Sequence, residues 1–84
     1  MDQKKITIYS TPMCVYCRLA KDFFKKHNLQ YTEIDVLRDM KAREEMFAKS
    51  KQMGVPVIDI DGEIFVGFDK GSLEKILGVR QMWS

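Results

Sequence analysis

Two cysteines stand three residues apart in the segment Thr11-Pro12-Met13-Cys14-Val15-Tyr16-Cys17. A bridge between them would make a poor staple, because a disulfide restrains the unfolded chain most when it closes a long loop. Zinc sites use the same spacing, but structural zinc usually takes four protein ligands, and the chain holds only two cysteines and one histidine, His27. His27 falls about three turns along the helix that the pattern predicts after Cys14. It reads as a helix-end residue, favoured there by the dipole when charged, rather than a ligand or base. The chemistry left is thiol–disulfide exchange. A Cys14 thiolate attacks a disulfide sulfur, and Cys17 attacks the mixed disulfide and leaves an intramolecular bridge.

The surroundings favour that chemistry. A strand ends at Thr11-Pro12 and a helix opens at the pair, where unpaired amides and the positive end of the helix dipole stabilise sulfur as an anion. Cys14 is expected as the exposed member, with Cys17 over the same side of the helix and nearer the body of the domain. Met13 and Val15 tune access. Tyr16 is expected to pack with Leu19 and Phe23, the alternative being a hydroxyl offered near the substrate.

Two further segments can serve the pair. The Val55-Pro56 bond tolerates the cis form, and at a strand start such a bond turns backbone groups outward. Beside Cys14, the backbone of Val55 would pair with an extended substrate and hold its sulfur in line. The plainer alternative is that Pro56 merely begins a strand. At Gly67-Phe68-Asp69, glycine permits close backbone approach and amides leading into the last helix can accept a carboxylate. Phe68 would cover an apolar part of the same ligand.

The elements that must position these residues follow from periodicity. Ile6 to Ser10 alternates as a strand apolar on both faces. From Cys14 the period changes to three or four, with Tyr16, Leu19, Ala20, Phe23 and His27 on one side and a stop at Asn28. Leu29 to Val36 suggests a second strand. Asp39 can cap a helix running to about Gln52 that offers Met40, Met46 and Phe47 to the core. Val57 to Ile60 and Ile64 to Val66 flank Asp61-Gly62, the signature of a tight hairpin. Asp69 or Ser72 can cap a last helix with Leu73, Ile76 and Leu77 on its apolar side and Gly78 at its end. The order β-α-β-α-β-β-α predicts an α/β fold with a four-stranded mixed sheet and three helices.

Composition bounds the rest. The chain has 84 residues, is 45% hydrophobic and 31% charged, and carries a net charge of +2. These values fit a single folded domain over 1–84, with 79–84 as a tail in which Met82 and Trp83 either pack back or project. Lys21, Lys25 and Lys26 are interrupted by Asp22, and Lys41 and Arg43 are followed by Glu44 and Glu45, which is the pattern of solvated helix faces rather than of a nucleic-acid site. The N-terminus has no apolar run of signal-peptide length, and no segment approaches the roughly 20 apolar residues of a membrane span. A cytoplasmic monomer is the expectation, and in that compartment paired thiols are chemical more often than structural.

These residues together carry a family resemblance. IYSTPMCVYC at Ile8 to Cys17, GVPVIDIDG at Gly54 to Gly62 and VGFDK at Val66 to Lys70 resemble the glutaredoxin family, including its small members that donate electrons to ribonucleotide reductase. The resemblance spans nearly the whole chain and implies a thioredoxin-like fold. It also implies that Cys14 is the nucleophile and Cys17 resolves, that Val55 before a cis Pro56 binds substrate backbone, and that the amides of Phe68 and Asp69, after Gly67, hold the glutamyl carboxylate of glutathione. Thr11 and Tyr16 fall at substrate-contact positions.

The chain departs from the family pattern at three points. Val15 replaces the proline of the C-P-Y-C motif, Thr11 stands where a lysine precedes the active-site turn, and Met53 replaces a basic residue ahead of the proline segment, where Lys51 can compensate. Glutathione is therefore one possible co-substrate and a thioredoxin-reductase-like donor the other, with no tightly bound cofactor and no resident metal expected. Two other classes stand beside the oxidoreductase: an iron–sulfur or metal-binding dimer sharing Cys14, and a noncatalytic interaction domain.

Overall fold

The computed structural model describes residues 4–78. Seven elements follow one another: β1 (Ile6–Ser10), α1 (Val15–Lys26), β2 (Thr32–Asp35), α2 (Met40–Ser50), β3 (Val57–Ile60), β4 (Glu63–Val66) and α3 (Lys70–Leu77). The sheet order is β2-β1-β3-β4, with β1 parallel to β2 and antiparallel to β3, and β3 antiparallel to β4. This is the predicted mixed sheet.

Local chemistry sets most boundaries. Asp39 caps α2 by accepting from the Ala42 amide at 3.0 Å, and Asp69 caps α3 by accepting from the Ser72 amide at 3.3 Å. Gly78 ends α3 in the left-handed region at φ 69°. Between β3 and β4 the chain turns through Asp61 at φ 49° and Gly62 at φ 93°, the pair of positive angles that a two-residue hairpin demands. Helix α2 stops at Ser50, short of the expected Gln52, because Lys51 takes a left-handed cap at φ 65°. Strand β2 begins only at Thr32, three residues later than expected, since pairing with β1 starts at Thr7↔Thr32.

The sheet is covered on both faces, which is why its central strands are apolar throughout. On one face Ile6, Ile8, Ile58 and Ile60 meet Ala20, Phe23 and Phe24 of α1 and Leu73 of α3. On the other, Tyr9 and Val57 meet Val36 and, from α2, Ala42 and Met46.

Two expectations fail here. Met46 is buried, but Met40 and Phe47 are 63% and 48% exposed. Met40 and Phe47 share a stripe lying roughly 130° around the helix from Ala42 and Met46, so α2 cannot bury both pairs against one flat sheet. Tyr16 does not pack: it is 60% exposed, and Leu19 is 43% exposed. Tyr16 has the right angular position but sits in the first turn of α1, where the described residues leave most of it uncovered. The core stripe of α1 is Cys17, Ala20, Phe23 and Phe24. Met82 and Trp83 lie outside the described residues.

Candidate active site

The chain leaves β1 at Ser10 and turns through Thr11, whose carbonyl accepts from the Cys14 amide at 3.3 Å. Cys14 is the N-cap of α1, with extended backbone at φ −87° and ψ 115°, and its Sγ accepts a hydrogen bond from the Cys17 amide at 3.1 Å. Sulfur thus occupies the place that a serine or aspartate oxygen takes in ordinary caps, facing the unpaired amides at the positive end of the helix.

The two sulfurs differ sharply in environment. Cys14 is partly exposed and Cys17 fully buried, and both are free thiols. Burial pushes the Cys17 thiol up to about 12, reinforced by its hydrogen bond with Cys14 and opposed by a backbone hydrogen bond from Thr11. A shallow depression of about 370 Å³ opens beside Cys14, lined by Thr11, Pro12, Met13, Val15, Arg18 and Lys21, with Cys17 buried beneath the surface. Around it Met13, Val15 and Tyr16 are 86%, 69% and 60% exposed, an apolar collar on the partly exposed thiol. A wider hollow of about 540 Å³, lined by Lys4, Asp61, Glu63 and Phe65 among others, contains neither cysteine.

The other predicted site residues gather at the same end of the sheet. Tyr9 pairs with Val57, the first residue of β3, so Thr11 leaves β1 and Val55 enters β3 at the same end of the sheet. The Val55–Pro56 bond is cis, Pro56 is buried, and its carbonyl accepts from the Gly67 amide at 2.8 Å. That bond ties the Gly67-Phe68-Asp69 turn to the proline segment. Gly67 has φ +83°, which favours glycine. Phe68 turns toward α1, its ring 5.9 Å from Phe23 in an edge contact, and the Asp69 carboxylate is engaged by the Ser72 amide and hydroxyl. His27 caps the far end of α1 against Phe23 and stands apart from the cysteines. Among the described residues no group of three or more His, Cys, Asp or Glu is placed to hold a metal ion.

Sequence reading missed a polar cluster behind the pair. Ser10 is buried, its hydroxyl donates to Glu33 Oε2 at 3.1 Å, and the same oxygen accepts from Lys21 Nζ at 2.7 Å. The available signal was Lys21 one turn beyond Cys17; Glu33, twelve residues on, and Ser10, eleven residues back, join it only through the β1–β2 pairing.

Comparison with known proteins agrees with this geometry. The glutaredoxin family model matches residues 6–66. A Clostridium pasteurianum protein, described as an uncharacterized glutaredoxin-like 8.6 kDa protein in the rubredoxin operon, is 50% identical over 72 residues, covering 86% of this chain and 96% of that one. The crystal structure of the thioredoxin-like protein BC3987 superposes with a TM-score of 0.82 at 36% identity, over 87% of this chain and all of the other. The glutaredoxin-like protein NrdH-redoxin from Escherichia coli, solved to explain its thioredoxin-like activity profile, gives 0.78 at 25% identity over 86% and 93%. No described helix is long and apolar enough to cross a membrane. With a thioredoxin-like sheet, a paired thiol capping its first helix and a family match across both, the chain belongs to the glutaredoxin family, whose chemistry is thiol–disulfide exchange.

Proposed function

We propose that the protein reduces disulfides by a dithiol cycle, with Cys14 as nucleophile and Cys17 as resolving thiol. The observation that carries this reading is the 3.1 Å hydrogen bond from the Cys17 amide to Cys14 Sγ, which sets a partly exposed sulfur at the helix opening and its buried partner directly behind it. The Cys14 thiolate attacks one sulfur of the substrate, forming a mixed disulfide and releasing the first substrate thiolate. Cys17 then loses its proton and attacks Cys14 Sγ, which breaks the mixed disulfide, releases the second thiolate and leaves the Cys14–Cys17 bridge. Two electrons pass from the protein to the substrate, and a separate donor returns them.

The substrate we propose is a protein disulfide, with ribonucleotide reductase as the candidate target and the cytoplasm as the compartment. The exposed collar of Met13, Val15 and Tyr16 supports a protein surface as partner, since apolar contact of this kind is what recognition patches bury. Val55 backbone would pair with the extended segment around the substrate sulfur, while the Phe68 and Asp69 amides after Gly67, with Thr11 and Tyr16, would flank it. The proposed donor is a thioredoxin-reductase-like flavoprotein, with glutathione as the alternative; Thr11 and Met53 lack the charge that would meet glutathione carboxylates, and Arg18 and Lys21 are the cations lining the depression.

Reduction kinetics test both parts. The oxidised protein, acting as a monomer, is supplied separately with glutathione, kept reduced by glutathione reductase and NADPH, and with thioredoxin reductase and NADPH. Rapid turnover with the reductase is expected and slow turnover with glutathione. The reverse ranking would reassign the donor, and no reduction by either would remove the dithiol cycle.

A further inference from the structure

We propose that Ser10 and Glu33 fix the ammonium of Lys21 behind the cysteine pair, where it favours the Cys17 thiolate in the resolving step; the inference rests on the dithiol cycle proposed above. Lys21 is then a positioning residue, acting through the sulfur of Cys17.

The cluster is built rather than incidental. Among the described residues Ser10 is the one polar side chain in the buried class, at 1% exposure, and it faces a carboxylate on the neighbouring strand. Glu33 Oε2 accepts from both Ser10 Oγ and Lys21 Nζ, so β1, β2 and α1 meet at one oxygen. A lysine side chain left free would sample many rotamers and give only a diffuse, screened charge. Here it is clamped at 2.7 Å with a quarter of its side chain exposed, one helical turn beyond Cys17 and on the wall of the depression that holds Cys14.

The resolving step is where such a charge matters. Cys17 must become an anion in a place where burial opposes it, whereas Cys14 already faces the helix amides. A nearby cation raises the thiolate fraction more than it lowers the intrinsic nucleophilicity of sulfur. The hydrogen bond to Glu33 holds the Lys21 ammonium above its ordinary range, and the hydrogen bonds from Lys21 and Ser10 hold Glu33 below its own, so both stay charged through neutral pH. The titratable groups acting on this cluster are Cys17 on α1, Glu33 and Asp35 on β2, and Tyr31 just before β2.

The step is written in full as Cys17–SH losing its proton to solvent, Cys17–S⁻ attacking Cys14 Sγ of the mixed disulfide, and the substrate thiolate leaving. Stopped-flow reaction of the reduced full-length protein with neutral dithiodipyridine resolves the two events, because each attack releases one absorbing thiopyridone. Lys21→Met is expected to slow the second release about fivefold and move its pH midpoint upward, with the first release changed by less than about twofold. Lys21→Arg restores the second phase, and Glu33→Gln, which frees the ammonium, falls between. An unchanged second phase in Lys21→Met, equal slowing of both phases, or failure of arginine to rescue would overturn the proposal. A wild-type protein with a single release would instead remove the dithiol cycle and this inference together.

Discussion

The amide of Cys17 donates to Cys14 Sγ at 3.1 Å, so one cysteine caps the helix that carries the other. The contact orders the pair by function before any substrate arrives. Sulfur at the cap meets solvent and the helix amides, while sulfur on the third helical residue lies inside. Alkylation should report that asymmetry. Iodoacetamide at neutral pH is expected to modify Cys14 at least about a hundredfold faster than Cys17, read by peptide mass mapping of the reduced protein. Comparable labelling of the two would contradict the assignment.

Removing the resolving thiol should arrest the cycle halfway. Cys17→Ser is expected to accumulate a mixed disulfide at Cys14 with a small disulfide substrate, seen as a stable mass adduct that a reductant reverses. Cys14→Ser should give no adduct and lose essentially all reductase activity. An adduct forming on Cys17 in that second variant would reverse the roles.

Helix α2 offers a paired test of packing. Met46 is 1% exposed among Tyr9, Val36 and Val57, and Met46→Ala is expected to cost about 2–5 kcal/mol in urea unfolding. Met40 is 63% exposed on the same helix, and Met40→Ala should stay within about 0.5 kcal/mol. Equal losses would mean that α2 is rotated on the sheet.

A second polar network lies on the α2 face. Lys49 Nζ donates to Asp59 Oδ2 at 2.7 Å and to the Tyr9 hydroxyl at 2.8 Å, and the Gly62 amide donates to Asp59 Oδ1 at 2.8 Å. Burial of Asp59 works against its charge, but the bonds from Lys49 and Gly62 outweigh it and hold the carboxyl below its ordinary value of 3.8. A depressed carboxylate adds stability above its unfolded value and loses it as pH falls through the folded one. Lys49 is held above its ordinary 10.5 by Asp59 and Tyr9, so its contribution is complete below that value and is lost only as pH rises through the folded one. Because Lys49 is about one-third exposed, Asp59→Asn should cost only about 1 kcal/mol between roughly pH 5 and 9. The gap between variant and parent should close as acid unfolding is followed below about pH 4. A gap that persists at low pH would assign the loss to packing or to the Gly62 contact.

Much of this architecture is written in short-range chemistry. The Asp61-Gly62 turn, the caps at Asp39 and Asp69 and the stop at Gly78 each depend on one or two residues and their immediate neighbours, so they are legible without a fold. The Cys14-Val15-Tyr16-Cys17 segment belongs with them, because strand, proline and helix opening follow one another along the chain. Other properties depend on what lies opposite. Tyr16, Met40 and Phe47 have the period of buried residues but are exposed, since periodicity gives an angle around a helix and not the extent of the sheet beneath it. The sequence by itself determined the element order and placed two thiols at a helix opening, through local propensity and spacing. Only the tertiary structure decided that Val55, Pro56 and Gly67 come to the same sheet end as Thr11, and that Ser10 and Lys21 meet at one oxygen of Glu33. Burial and long-range hydrogen bonds are set by elements remote along the chain, and no local pattern encodes that meeting.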